Sequence, residues 1–77
     1  MQILFHKNYS KKLKKYDPRE PERINSAVFN LPEGDVKRLK SNNALYRLRV
    51  GDFRIFFTKE KDLIKVLKID SQEDAYK

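Results

Sequence analysis

The chain has 77 residues and a mass of 9.2 kDa, with 18 Lys plus Arg against 11 Asp plus Glu and a formal charge of +7. That length is room for one small domain, taken as residues 1–77, with a thin core that buries about 60% of the surface of the unfolded chain. Without Cys a disulfide framework and a thiolate metal site are excluded, the single His argues against a protein-only zinc centre, and no cofactor is expected. No run approaches the ~18 apolar residues of a membrane span, and lysines crowd the first fifteen positions where a signal peptide would be apolar. A cytoplasmic protein with no membrane partner is the expectation.

The charge is unevenly spread. Residues 1–16 carry five Lys and no acid, residues 17–36 sum to −3, residues 37–68 sum to +7 and residues 69–77 return to −2. A basic block in the second half is the footprint expected for a polyanion, nucleic acid being the commonest. Charge alone equally fits a solvated face that keeps a small protein in solution.

Gln2–His6 holds Ile3, Leu4 and Phe5, a short apolar run that reads as a buried strand. Asn8 offers an N-cap, and Tyr9, Leu13 and Tyr16 recur at i, i+4 and i+7 among lysines, which predicts a short amphipathic helix. Asp17-Pro18 starts a second helix with Glu20 placed for a capping box. Ile24, Ala27, Val28 and Leu31 form its buried stripe, and Pro32 and Gly34 end it. Lys37, Arg38 and Lys40 fall in a loop with Ser41, Asn42 and Asn43. From Leu45 the period changes to two: Tyr46, Leu48 and Val50 alternate with Arg47 and Arg49, Gly51-Asp52 makes a two-residue turn, and Phe53, Ile55 and Phe57 follow. A last strand, Leu63–Ile69, is apolar on both faces, as in a central or doubly covered strand. The fold class expected is α+β: an N-terminal strand, two short helices, then a three-stranded antiparallel meander.

A two-residue turn sets the hairpin register, so Val50 faces Phe53, Arg49 faces Arg54, Leu48 faces Ile55 and Arg47 faces Phe56. The apolar residues then share the helix-covered face, and Arg47, Arg49 and Arg54 share the other. Like charges directly opposite one another destabilise a sheet. Three guanidiniums on a rigid surface instead suit phosphate, to which each can donate bidentate hydrogen bonds. Acids of the C-terminal tail would be the other way of neutralising them. Lys37, Arg38 and Lys40 extend the basic surface or remain a solvated loop. Tyr76 either covers the core edge or stacks on a base. His6, at the end of the first strand, assembles with no Ser and Asp into a nucleophilic set.

The stretch Tyr46-Arg47-Leu48-Arg49-Val50-Gly51-Asp52-Phe53-Arg54-Ile55, with Val36-Lys37-Arg38-Leu39-Lys40 before it and Ala75-Tyr76-Lys77 at the end, resembles the RelE family of toxin–antitoxin toxins. The wider superfamily also holds the gyrase-poisoning ParE toxins. The resemblance implies a small sheet with its helices on one face and an mRNA interferase, that is, a ribosome-dependent endoribonuclease cutting A-site mRNA without metal. It implies a cognate antitoxin and the ribosome as partners. It places Arg47, Arg49, Arg54 and Tyr76 in catalytic positions, while Lys37, Arg38 and Lys40 are expected to bind RNA on the strength of their charge beside that strand. Relatives carry a basic motif before the terminal Tyr, whereas this chain has Asp70-Ser71-Gln72-Glu73-Asp74. A weak or inactive antitoxin- or nucleic-acid-binding module, or a ParE-like gyrase inhibitor, are the alternatives the resemblance leaves.

Overall fold

A computed structural model describes residues 2–31, 33–39 and 45–71. In chain order they form β1 (Gln2–Phe5), α1 (Lys7–Leu13), α2 (Arg19–Phe29), β2 (Asp35–Arg38), β3 (Leu45–Val50), β4 (Phe53–Glu60) and β5 (Leu63–Ser71). The strands make one five-stranded mixed sheet in the order β1-β5-β4-β3-β2. This corrects the three-stranded meander. Lys37 and Arg38, read in a loop, belong to Asp35–Arg38, a fourth antiparallel strand pairing with β3, and β1 joins the other edge parallel to β5. Val36 is the one apolar residue of β2, so no two-residue alternation could announce it.

The path explains the topology. The chain starts on one edge, α1 and α2 carry it across a face to the opposite edge at β2, and hairpins walk it back until β5 meets β1. The first helix is capped by His6, whose Nδ1 accepts the Asn8 N–H at 3.0 Å, and not by Asn8 itself. At the second, Asp17 Oδ1 accepts the Arg19 N–H at 3.0 Å, but Glu20 pairs with Arg23 at 2.9 Å and no capping box forms.

Tyr9 and Leu13 from α1, Ile24 and Val28 from α2, and Leu31 just beyond it pack on Leu48, Ile55, Phe57, Ile64, Val66 and Ile69 of the sheet. Each such side chain stabilises by about 1.5–3 kcal/mol relative to exposure. β1 is an edge strand whose Leu4 and Phe5 stay partly exposed, so its apolar run is not buried as expected. β5 is apolar because it lies between β1 and β4 in the sheet.

One irregularity matters for the open face. The β4–β5 pairing shifts register between Phe56 and Phe57: Phe57 faces Val66, but Phe56 faces Lys68, leaving Leu67 as the extra residue. The bulge lets Val66 and Ile69, three positions apart, both reach the core. It also sends Lys68 and Asp70 to the face opposite the helices.

Candidate nucleic-acid interface

The hairpin register is the one the turn dictates, with Val50 opposite Phe53, Arg49 opposite Arg54, Leu48 opposite Ile55 and Arg47 opposite Phe56. Gly51 opens the turn at φ +58°, a conformation that disfavours any residue with a Cβ. Leu48, Ile55 and Phe57 are buried beneath the helices, with Tyr46, Val50 and Phe53 packed at the margin of the same core. The arginines therefore occupy the open face.

Two rows of side chains cross that face. The first runs Asp35, Arg49, Arg54, Asp70 from β2 to β5. The second runs Lys37, Arg47, Phe56, Lys68. Lys68 Nζ lies 4.8 Å from the centre of the Phe56 ring, a cation–π contact that holds it over the sheet. Arg49 is exposed, and its Nε donates to the Gly51 carbonyl at 3.4 Å. Arg54 has no hydrogen bond or ion pair among the described residues, although it is only partly exposed.

Arg47 is the most enclosed of the three. Its side chain is 23% exposed, one terminal nitrogen is 3.9 Å from Asp35, and its Nε is shielded with no acceptor. An unmet buried donor in that position costs about 1–3 kcal/mol, so the anion-facing part of Arg47 is its partly exposed guanidinium end. The face thus offers a partly enclosed guanidinium loosely paired with Asp35, an unpartnered guanidinium and a third held at the turn, all on adjacent strands. That arrangement can hold the oxygens of one or two phosphates and stabilise charge that develops on them.

Of the other sequence-derived positions, Lys37 joins the cluster as the cross-strand neighbour of Arg47. Arg38 does not. It pairs with Tyr46, and alternation sends it toward the helix side of the sheet. Lys40 and Tyr76 lie outside the described residues. The sequence could not place Lys68 and Asp70 on this face, because the bulge at Leu67 decides which way they point.

The family described as "ParE toxin of type II toxin-antitoxin system, parDE" matches residues 3–76. The chain belongs to the ParE/RelE toxin family. It is therefore a toxin of a type II toxin–antitoxin system. A RelE1 toxin homologue of Methanocaldococcus jannaschii is 32% identical over 84 residues, covering 97% of this chain and 93% of its own. Among solved structures, the RelB–RelE antitoxin–toxin complex from Methanococcus jannaschii aligns with a TM-score of 0.79 at 27% identity, covering 95% of this chain and 94% of that one. The archaeal RelE–RelB complex from Pyrococcus horikoshii OT3 shares the fold, with a TM-score of 0.74 at 23% identity over 92% and 93% of the two chains. The chain carries acids at 70, 73 and 74.

Proposed function

We propose that this toxin, residues 1–77 acting as one domain in the cytoplasm, is a ribosome-dependent mRNA endonuclease that blocks translation. The observation that carries the reading is the Arg49–Arg54 pair on an open sheet face, with Arg47 in the next row of the same face. Proteins place like charges opposite one another at a cost of a few tenths of a kcal/mol, and an anionic ligand offsets it.

The chemistry that suits this face is attack of a 2′-hydroxyl on the adjacent phosphate. The 2′-oxygen forms a bond to phosphorus as its proton passes to a base, the bond to the 5′-oxygen breaks, and that oxygen takes up a proton. Arg47, Arg49 and Arg54 stabilise the charge of the phosphorane. A guanidinium does not release its proton at useful pH, so the acceptor lies elsewhere. Tyr76, Lys40 and a ribosomal group are the candidates. A face rich in cations with a weak set of bases fits an enzyme that cuts only when the ribosome orients the mRNA. Lys37 and Lys68 extend the cationic surface to flanking phosphates. A cognate antitoxin covering this face would silence the toxin.

Ribosomes programmed with a defined mRNA, mixed with purified toxin and read by primer extension, test the reading. Cleavage within the A-site codon is expected, and Arg54→Ala should reduce its rate by about 2–4 kcal/mol of transition-state stabilisation. Intact mRNA at toxin excess, with ribosome binding retained, would leave a binding module. The matched family's ParE description supports a second reading, inhibition of DNA gyrase. A supercoiling assay separates it, since the nuclease reading expects gyrase to be unaffected.

A further inference from the structure

The residue directly opposite Arg54 on β5 is an acid, Asp70. Side chains in such a pair leave the same face with their Cβ atoms about 4.5–5.5 Å apart. An Arg and an Asp so placed ordinarily form a charge-assisted pair, which here would occupy the guanidinium that faces phosphate. No such pair is present. Asp70 Oδ1 instead accepts from Lys12 Nζ at 2.8 Å, and Oδ2 lies 3.9 Å from Lys68 Nζ.

The topology explains how a helix residue reaches the open face. β1 pairs with β5 only as far as Val66, so beyond that point the edge of β5 has no strand beside it among the described residues. The chain leaves β1 at Phe5, and α1 begins at Lys7 and packs along β5. Its Tyr9 and Leu13 enter the core, and Lys12, flanking that stripe, extends around the free edge to Asp70. Both partners are about one-third exposed, so the contact is partly shielded from solvent. Lys68 is the weaker hold, since Phe56 also draws its ammonium over the ring.

We infer that Lys12 is a positioning residue for the phosphate site: it draws the Asp70 carboxylate to the sheet edge and leaves the Arg54 guanidinium open to RNA. The inference rests on Arg54 contacting phosphate, and it gives the tail acid that stands nearest the cluster a defined place. Without Lys12 the carboxylate swings to Arg54 and closes the site from within.

Four proteins test this: Lys12→Gln, Lys12→Gln with Asp70→Asn, Lys12→Gln with Glu33→Gln, and Arg54→Ala. The second and third share one net charge, and Glu33 is an exposed residue in the turn before β2, so only the second removes the competing carboxylate. Affinity for a short single-stranded RNA, measured by fluorescence anisotropy, should fall about three- to tenfold in Lys12→Gln. It should return to within about twofold of wild type with Asp70→Asn, and not with Glu33→Gln. The Nε–H resonance of Arg54 gives a readout that needs no RNA. It should shift in Lys12→Gln and return in the Asp70 double variant. Equal losses in both double variants, or an unmoved Arg54 resonance, overturn the inference and leave the phosphate assignment standing. If Arg54→Ala binds RNA as wild type does, the phosphate assignment falls, and the inference with it. Thermal denaturation of each variant shows which losses come from unfolding.

Discussion

Arg49 and Arg54 stand directly opposite one another across the Gly51-Asp52 turn, and no described acid pairs with either. Asp35 lies opposite Arg49 on β2, yet its ion pair is with Arg47 at 3.9 Å. Asp70 lies opposite Arg54, yet its ion pairs are with Lys12 and Lys68. The two acids that flank the arginine pair are thus both engaged elsewhere, which leaves a like-charge pair that no acid among the described residues neutralises.

The terminal tyrosine can be divided into stacking and hydroxyl chemistry. Tyr76→Phe keeps a ring for stacking and loses the proton acceptor, whereas Tyr76→Ala loses both, with stacking contributing ~1–3 kcal/mol. If the Phe variant cleaves ribosome-bound mRNA like wild type and the Ala variant does not, Tyr76 is a stacking platform. Slow cleavage by both makes the hydroxyl part of the reaction.

The turn itself should be sensitive. A Cβ at Gly51 would meet the Arg23 Nη2 at 2.8 Å and would sit on a backbone with φ +58°. The end of the Arg23 side chain can swing aside, so the backbone conformation dominates, and Gly51→Ala should destabilise by about 1–2 kcal/mol. Gly51→Asn should lose less, because Asn tolerates that conformation. Chemical denaturation of the two variants measures the difference, and equal losses would mean that the contact with Arg23 matters more than the backbone.

Alkaline stability should depend on Tyr9. Its buried hydroxyl donates to Asn25 Oδ1 at 2.9 Å, and burial pushes its pKa from 10.0 up to about 12. In the unfolded chain the group ionises near 10, so between there and about 12 the native state holds the extra proton. Stability is complete below that window and falls as pH rises through it. Tyr9→Phe removes this contribution and should flatten the decline, measured by urea midpoints at stepped pH. Superimposable declines in the two proteins would show that other groups govern it.

Association with the antitoxin should be steered by charge. The toxin carries +7, concentrated in residues 37–68, so an acidic partner should bind rapidly at low salt. The association rate should drop about tenfold or more between low and high salt, with a smaller change in dissociation. Stopped-flow mixing across a salt series measures this, and a flat profile would place the binding energy in apolar contacts.

The hairpin could be read from the sequence because its information is local. Strict alternation from Tyr46 to Phe57 around a two-residue turn admits one register, since a slip of one residue would put the arginines in the core. The helix stripes, Tyr9 with Leu13 and Ile24 with Val28, were legible for the same reason. β2 was not, because a four-residue strand with one apolar side chain becomes a strand only by pairing with β3. The parallel seat of β1 depends on two helices carrying the chain across the sheet, a relationship between residues some sixty positions apart. The surroundings of Arg54 were the least legible. Continued alternation from Ile64 and Val66 would send Lys68 and Asp70 inward, and only the bulge at Leu67, formed so that Ile69 can enter the core, turns them to the open face. Packing in the interior thus chose the charges of the exterior, and no pattern confined to neighbouring residues records that choice.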